Sequence, residues 1–324
     1  MEIQKRTPIL IDCDPGVDDA FAIALAASCP ALEITAITAV EGNVPAKITR
    51  KNALCLSELF DLPCRVGFGA EKPLKKAYDK DASAVHGEGG VGEVRFEEPK
   101  RSPDEKPACE LIYEEAVKHS GELVLFATGP LTNIALALRA HPDLPEHVKR
   151  FYVMGGGTFG NVEETDNRAE FNIWVDPTAA KEVFSAMEVW LVGLDATHAS
   201  ALSGADFDEM IEILSGASNK KAAFLKELSA FSKRNSMDNG CDNHVIHDAL
   251  TVAAFLDPAA VVFQDCWLDV ETQPDAKNEG ETYIMRNASK TNGHFAVQVD
   301  QPRFIRMLKD MCRFYAAAVQ PCKN

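Results

Sequence analysis

The chain has 324 residues, of which 46% are hydrophobic and 25% are charged. This composition excludes an intrinsically disordered protein and is typical of a globular one. The formal net charge of −16 argues against nucleic acid or an anionic membrane as the main partner, because both attract Lys and Arg. It favours a divalent cation instead. No apolar run approaches the ~20 residues of a membrane-spanning helix.

The nine cysteines are odd in number and show no pairs at the two-residue spacing of metal sites. Most, such as Cys13, Cys55 and Cys266, lie in apolar segments, so we interpret them as reduced core residues. Residues 1–7 are polar and too short for a signal peptide. We therefore expect a cytoplasmic protein.

Predicted strands and helices alternate along the chain. The predicted strands cover residues 8–12, 32–40, 63–67, 123–127, 151–154, 189–193, 261–270, 281–286 and 295–299. The predicted helices cover residues 20–28, 45–60, 108–119, 132–140, 177–186, 206–214, 220–233, 247–256 and 303–319. This alternation implies an α/β fold, with a mostly parallel sheet flanked by helices, in a single domain over residues 1–324. The long polar segment 69–107 is predicted to be an active-site flap, the alternative being a weakly ordered surface loop.

Four carboxylates lie within eight residues at the end of the first predicted strand: Asp12, Asp14, Asp18 and Asp19. Ligands of such sheets bind beyond the carboxyl ends of the strands, so a site is expected here. One or two of these residues could merely cap the helix that follows. Four like charges this close raise one another's pKa unless a cation neutralises them. Oxygen ligands suit Ca²⁺ or Mg²⁺ rather than zinc, and a mix of carboxylates with a carbonyl favours Ca²⁺.

Other polar residues follow the later strands. They are Glu41-Gly42-Asn43, Thr128-Gly129, Met154 with its glycines, and Asp195. Glu170 and Asn172 are one residue apart, so in an extended chain both would point the same way, towards sugar hydroxyls; a solvated loop is the alternative. His247 and Asp248 begin an apolar helix, where capping is the alternative to a functional role.

Together these segments resemble the inosine-uridine preferring nucleoside hydrolase family. The resemblance is carried, in the family's order, by Asp12-Cys13-Asp14-Pro15-Gly16-Val17-Asp18-Asp19-Ala20, Glu41-Gly42-Asn43, Thr128-Gly129-Pro130-Leu131-Thr132-Asn133, Met154-Gly155-Gly156-Gly157, Glu170-Phe171-Asn172 and His247-Asp248. It implies a Rossmann-like nucleoside hydrolase fold and hydrolysis of the N-glycosidic bond of a ribonucleoside to ribose and free base, in nucleoside catabolism and base salvage. It also implies a homodimer or homotetramer.

The resemblance further implies the role of each site residue. One Ca²⁺ per subunit would be bound by Asp14, Asp19, the backbone carbonyl of Thr128, and Asp248. The ribose would be contacted by Asp18, Asn43, Met154, Asn161, Glu170 and Asn172, with Asn167 as the alternative to Asn161. Asp14 would be the general base to a metal-bound water, and Asp12 would support the loop from behind.

The leaving base needs a proton or a hydrogen bond. His247 is the first candidate donor, because the pKa of histidine lies near neutral pH, and His86 on the long loop is the second. Family members with a Trp in place of His247 favour purines by stacking, so this chain resembles the His-bearing group, which is base-unspecific or pyrimidine-preferring. The predicted helix 220–233 lacks the Tyr expected beside Phe231, which leaves the base preference open, purine or pyrimidine.

Two other functions stay open on the sequence alone. A haloacid-dehalogenase-type phosphatase also begins with a strand and Asp-x-Asp, and there Asp12 would be the nucleophile beside Mg²⁺. A ribose- or nucleoside-binding protein could keep the cation site without turnover, and the altered helix 220–233 motivates this alternative.

Overall fold

The computed structural model of the protein describes residues 5–75, 81–238 and 243–317. The strands are β1 (Thr7–Cys13), β2 (Leu32–Ala39), β3 (Arg65–Phe68), β4 (Leu123–Ala127), β5 (Val148–Met154), β6 (Val189–Val192), β7 (Leu202–Ser203), β8 (Asn243–His244), β9 (Val261–Val270), β10 (Thr282–Met285) and β11 (Gly293–Val299). The helices are α1 (Val17–Ser28), α2 (Ala46–Leu59), α3 (Ser83–His86), α4 (Ala108–Lys118), α5 (Thr132–Ala140), α6 (Leu144–His147), α7 (Phe171–Val175), α8 (Pro177–Ala186), α9 (Leu194–Ala199), α10 (Gly204–Ser215), α11 (Lys220–Asp238), α12 (His247–Leu256) and α13 (Gln301–Ala317).

One mixed sheet organises the described residues. Its nine strands follow the order β10-β9-β11-β6-β5-β4-β1-β2-β3. The block from β11 to β3 is parallel throughout, whereas β9 runs antiparallel to both of its neighbours. The predicted α/β class with a mostly parallel sheet is confirmed. The single domain over residues 1–324 stays a prediction.

Helices cover both faces of this sheet because its central strands are apolar on both. In β1, Ile9 and Ile11 pack into one core cluster together with α1 and α12, while Leu10 packs into the other, together with α4 and α5. All three side chains are fully buried. Alternate residues of a strand point to opposite faces, so an uninterrupted apolar run is what a doubly covered strand requires.

The strand order places a crevice beside the first acidic motif. From β1 the chain moves to β2 and β3 on one side of the sheet, and it returns with β4 on the other side of β1. Asp12 of β1 pairs with Ala127 of β4, so the residues after these two strands emerge side by side. A reversal of strand order of this kind is where parallel sheets bind ligands.

The long elements match the predicted ones to within a few residues, but several short elements have no counterpart in the prediction. These are α3, α6, α7, α9 and the two-stranded sheet of β7 and β8. Segments of two to six residues are too short to show a helical or strand period, so no pattern predicted them. The predicted end of the closing helix, at residue 319, lies outside the described residues.

Five of the seven cysteines in the described residues are buried, and all seven are free thiols. This agrees with the predicted reduced core cysteines; Cys241 and Cys322 lie outside the described residues. Within residues 5–75, 81–238 and 243–317, no helix is both long and apolar enough to span a membrane.

Candidate active site

A cleft of about 750 Å³ opens at the carboxyl ends of the central strands. Ten residues predicted for the site line it: Asp18, Asn43, His86, Thr128, Met154, Asn161, Glu170, Asn172, His247 and Asp248. The other three, Asp12, Asp14 and Asp19, are buried and do not line the cleft. Residues from six widely separated segments therefore meet at one cavity, although their individual roles stay predictions.

Asp14 is held rigidly at the end of β1. Its Oδ2 accepts the backbone N–H of Asn43 at 2.7 Å, while its fully buried Oδ1 has no hydrogen-bond partner among the described residues. Glycines make this tight packing possible: a Cβ at Gly42 would lie 2.0 Å from Oδ2, and one at Gly129 would lie 2.7 Å from Oδ1. The carboxylate thus sits in a cradle that a side chain on either glycine would fill.

Asp19 combines a capping role with contacts to the site. Its Oδ2 accepts the N–H of Gly16 at 2.8 Å, which is the helix-capping alternative raised by the sequence. Its Oδ1 accepts the hydroxyl of Thr128 at 2.7 Å, and its carboxyl also shares a hydrogen bond with Asp248. Capping therefore explains one oxygen of Asp19 and not the other.

Asp18 and Asp248 join the start of α1 to the start of α12. Oδ2 of Asp18 accepts the backbone N–H of His247 at 3.2 Å. The two helices pack along each other, and Asp248 is only 4% exposed. A carboxylate at each helix N-terminus is favoured by the helix dipole, and here both face the same cleft.

Burial raises the pKa of every carboxyl at this end of the cleft. The pKa of Asp18 rises to about 7, and those of Asp14, Asp19 and Asp248 rise as well, because burial and the neighbouring carboxylates both disfavour the charged form. The described residues that line the cleft include no Lys or Arg. Several buried acids without a basic partner form an environment in which a divalent cation would restore the charged forms.

The donor set fits such a cation. Asp14, Asp19 and Asp248 supply carboxylate oxygens, Thr128 supplies a backbone carbonyl, and hard oxygen ligands are those that Ca²⁺ prefers. In the described part of the chain, no three His, Cys, Asp or Glu side chains are arranged so that they could hold a metal ion as they stand, so these carboxylates would have to move towards a bound cation. The neighbouring Asp19 raises the pKa of Asp248, and a cation bound by both carboxylates would remove that repulsion. The unpartnered Oδ1 of Asp14 is a further free ligand.

Asn172 connects the predicted cation site to the predicted sugar site. Its Nδ2 donates to the carbonyl oxygen of Thr128 at 2.9 Å and lies 3.3 Å from that of Met154. Asn43 has a similar position, since its Nδ2 lies 3.3 Å from the carbonyl oxygen of Asp14 and 3.4 Å from Oδ2 of Asp19.

The reason given for pairing Glu170 with Asn172 is wrong, although both line the cleft. The segment is not extended, because α7 begins directly after Glu170. The carboxylate of Glu170 caps this helix through the N–H groups of Asn172 and Ile173, and it also accepts the N–H of Gly156 at 2.9 Å. Burial raises the pKa of Glu170 to about 7. Its carboxyl therefore supports the loop as well as facing the ligand space.

Asn161 and Asn167 occupy different places in the same loop. Asn161 lines the cleft, and its Oδ1 accepts the N–H of Phe171 at 3.0 Å. Asn167 is exposed, does not line the cleft and has a positive φ of 56°. Only Asn161 is placed to contact a ligand in this cleft.

Asp12 lies one layer below the site. Its Oδ1 accepts hydrogen bonds from Thr38 at 2.6 Å and from Asn133 at 2.8 Å. Asn133 in turn accepts the N–H of Ala70, at the start of the long loop. Burial raises the pKa of Asp12 to about 7. These bonds link the ends of β1, β2 and β4, as expected of a supporting residue.

His86 and His247 face the upper part of the cleft. His86 ends α3, and its Nδ1 accepts the N–H of Val17 at 3.2 Å, so the neutral ring carries its hydrogen on Nε2. Burial, with a smaller effect of His244, lowers the pKa of His86 to about 4. The predicted flap therefore contributes a histidine to the cleft through a short helix.

The expected neutral pKa of His247 is wrong. Burial, reinforced by the neighbouring histidines, lowers its pKa to about 3. Its Nδ1 lies 2.9 Å from the hydroxyl of Thr197. Burial therefore favours the neutral ring of His247 at neutral pH, whereas its choice as the acid rested on an ordinary histidine pKa.

Sequence reasoning missed several residues that line the upper cleft. They include Val85, Phe171, Trp174, Leu194, His198, Asn235 and His244. Phe231 of α11 does not line the cleft; its ring lies within 3.0 Å of the Cβ that Gly92 lacks, and so fixes the long loop.

Comparisons with known proteins agree with this geometry. The family model for inosine-uridine preferring nucleoside hydrolases matches residues 9–306. The pyrimidine-specific ribonucleoside hydrolase RihA of Klebsiella pneumoniae is 36% identical over 315 residues, covering 95% of this chain and 99% of that protein. The protein of the same name from Salmonella schwarzengrund is 37% identical over 317 residues, with the same coverage.

Solved structures share the fold over nearly the whole chain. A plant nucleoside hydrolase, PpNRh1, has a TM-score of 0.86 at 27% identity, covering 96% of this chain and 99% of that one. A purine-preferring ribonucleoside hydrolase from Gardnerella vaginalis has a TM-score of 0.83 at 26% identity, with 94% and 99% covered. The phosphatase alternative is thereby overturned. The chain belongs to the inosine-uridine preferring nucleoside hydrolase family and is an enzyme that hydrolyses the N-glycosyl bond of ribonucleosides.

Proposed function

We propose that this hydrolase depends on one Ca²⁺ per chain and that Asp14 is its general base. The observation that carries the proposal is the unpartnered, fully buried Oδ1 of Asp14, wedged between Gly42 and Gly129 at the base of a cleft lined by hydroxyl-binding groups. A buried acceptor without a donor is rare unless a ligand satisfies it. Asp14, Asp19, Asp248 and the carbonyl of Thr128 would hold the ion.

Different residues of the chain have different roles in the reaction. Asn43 holds one oxygen of Asp14 through its backbone N–H, so the other oxygen can take a proton from the attacking water. A bound Ca²⁺ would lower the pKa of a coordinated water and would hold that water in position. The surrounding carboxylates stabilise the positive charge of an oxocarbenium-like transition state.

The sugar would be oriented by the middle of the cleft. We propose that Asp18, Asn43 and Asn172 bind the 2′- and 3′-hydroxyls, because these side chains line the cleft directly above Asp14 and Asp19. Asn161 and Glu170 would bind the 5′-hydroxyl, and Met154 would pack against the ring. A sugar held in this way would keep its anomeric carbon aligned with the attacking water.

The base would occupy the upper cleft. His86 and His247 are the groups placed to hydrogen bond with it. Relatives with 36–37% identity carry the name pyrimidine-specific, against 26% identity for the purine-preferring structure. We therefore expect uridine and cytidine to be cleaved faster than inosine, adenosine and guanosine. A homodimer or homotetramer in the cytoplasm remains part of this proposal.

A reducing-sugar assay tests the proposal. Each of the five nucleosides is incubated with the wild-type enzyme in added Ca²⁺ and in a chelator, and with Asp14→Asn in Ca²⁺. We expect ribose release from a pyrimidine nucleoside, loss of release in chelator, and about 10³-fold slower release by the variant. Asp310→Asn, at an exposed position of α13, controls for loss of one charge. Unchanged activity in chelator would contradict the Ca²⁺ dependence, and full activity of Asp14→Asn would contradict the general base.

A further inference from the structure

Thr197 is a fully buried threonine that lies behind His247 and does not line the cleft. It belongs to α9, and its Oγ1 is 2.9 Å from Nδ1 of His247. The same hydroxyl is 3.4 Å from the carbonyl oxygen of Leu194, one helical turn earlier. A single buried hydroxyl therefore bridges a backbone carbonyl and an imidazole nitrogen.

These two partners favour one direction for both hydrogen bonds. A carbonyl oxygen can only accept, so the contact of 3.4 Å to Leu194 uses the hydroxyl hydrogen of Thr197. Oγ1 then offers a lone pair, and Nδ1 of His247 supplies the hydrogen between them. A neutral imidazole has one ring hydrogen, so Nε2 of His247 is left as an acceptor. Asp18 does not alter this arrangement, because it accepts the backbone N–H of His247 and not a ring hydrogen.

His86 has the opposite arrangement. The N–H of Val17 donates to its Nδ1 at 3.2 Å, which places the hydrogen of the neutral ring on Nε2. Both histidines line the cleft. A base bound there would meet one imidazole that donates a hydrogen bond and one that accepts.

We propose that Thr197 is a positioning residue that holds His247 in the Nδ1–H tautomer, so that Nε2 of His247 accepts a hydrogen bond from the base. This inference rests on the proposed function, since it requires a nucleoside base in the upper cleft. It assigns the donor towards the leaving base to His86. Thr197 acts through His247 and does not touch the substrate.

Two variants distinguish the effect of the Thr197 hydroxyl from the effect of the shape of its side chain. Thr197→Val removes the hydroxyl and keeps the branched shape, whereas Thr197→Ser keeps the hydroxyl. Thr49→Val is a matched control, because Thr49 is also fully buried in a helix and its hydroxyl also bonds a carbonyl three residues earlier, that of Ala46 at 3.2 Å. No histidine bonds to Thr49 in the described part of the chain.

Nitrogen-15 spectra of the histidine rings report the tautomer directly. The full-length protein is labelled at histidine, and the His247 signals are assigned as those lost in His247→Gln. We expect the ring hydrogen of His247 on Nδ1 in the wild type, in Thr197→Ser and in Thr49→Val, and a shift of population towards Nε2–H in Thr197→Val. Wild-type His247 with its hydrogen on Nε2, or on both nitrogens, would overturn the proposal without any variant.

Steady-state kinetics give the functional consequence. We expect Thr197→Val to lower kcat/KM for uridine about tenfold, Thr197→Ser to stay within about threefold of the wild type, and inhibition by free ribose to stay unchanged in both. Equal losses in Thr197→Val and Thr49→Val would show a general packing effect and overturn the role. An enzyme that cleaves no nucleoside would contradict the proposed function alone, because the ring spectra still report the tautomer.

Discussion

The two ends of the cleft are built in different ways. The floor, which consists of Asp14, Asp18, Asp19, Thr128 and Asp248, is formed at the ends of β1 and β4 and at the starts of α1 and α12. One oxygen each of Asp14, Asp18 and Asp19 is fixed by a backbone N–H group.

The base side, which consists of Val85, His86, Asn235, His244 and His247, is formed by the long loop, the end of α11 and the short strand β8, together with the first residue of α12. Its contacts between segments include the hydrogen bond from Nδ2 of Asn235 to the carbonyl of Val85 at 3.0 Å. The comparison teaches that the fold fixes the hydrolytic chemistry, while base recognition depends on a few replaceable contacts. Damage to the floor should therefore act on turnover, and damage to the base side on nucleoside affinity.

Of three further substitutions, Gly42→Ala on the floor is expected to have the largest effect. The new Cβ would lie 2.0 Å from Oδ2 of Asp14 and 2.8 Å from Cδ of Pro130, so the Asp14 side chain must move. Since a misplacement of about 1 Å costs on the order of 10²-fold in rate, we expect kcat for uridine to fall by about that factor. Gly216→Ala is the control, because its Cβ would meet no atom closer than 4.0 Å. A Gly42→Ala enzyme with wild-type kcat would show that Asp14 need not be held in place.

A smaller effect, of a different kind, is expected from Asn235→Ala on the base side. Loss of the hydrogen bond to Val85 loosens the contact between α11 and the long loop. One hydrogen bond contributes about 1 kcal/mol, so we expect KM for uridine to rise about fivefold with little change in kcat. Inhibition by ribose should stay within about twofold of the wild type. Weaker ribose inhibition in this variant would mean that the two ends of the cleft are not independent.

The smallest effect is expected from Arg234→Ala, which removes an ion pair at the rim of the base side. Arg234 and Glu93 lie 2.7 Å apart, but their side chains are 51% and 75% exposed. Exposed pairs of this kind contribute less than about 1 kcal/mol, so kcat and KM should both stay within about twofold of the wild type. A fivefold or larger rise in KM, measured at physiological salt, would show that this ion pair contributes to nucleoside binding at the base side.

The sequence predicted the floor better than the base side for physical reasons. Asp14 and Asp19 belong to one short motif after an apolar strand, and the parallel sheet brings Thr128 beside them. Glu170 and Asn172 both line the cleft, but the extended chain from which they were paired is a helix of five residues, which is too short to show a period. Thr197 and His244 were not identified, because their position depends on contacts with segments about 50 residues away.

The perturbed pKa of His247 was equally hidden from the sequence. A histidine at the first position of a predicted helix carries no sign of its burial, which follows only from the packing of α9 and α12 against each other. The assignment of His247 as the acid rested on its ordinary pKa. Tertiary burial is the property that single-sequence reasoning could not supply.

Calorimetric titration tests most directly that the floor binds the ion and the sugar together. The enzyme is stripped with a chelator, dialysed, and titrated with Ca²⁺; ribose is then titrated with and without the ion. We expect one Ca²⁺ per chain, ribose binding only in its presence, and much weaker Ca²⁺ binding by Asp14→Asn. Ribose binding of equal strength without Ca²⁺, or no Ca²⁺ binding by the wild-type chain, would contradict the assignment of the floor.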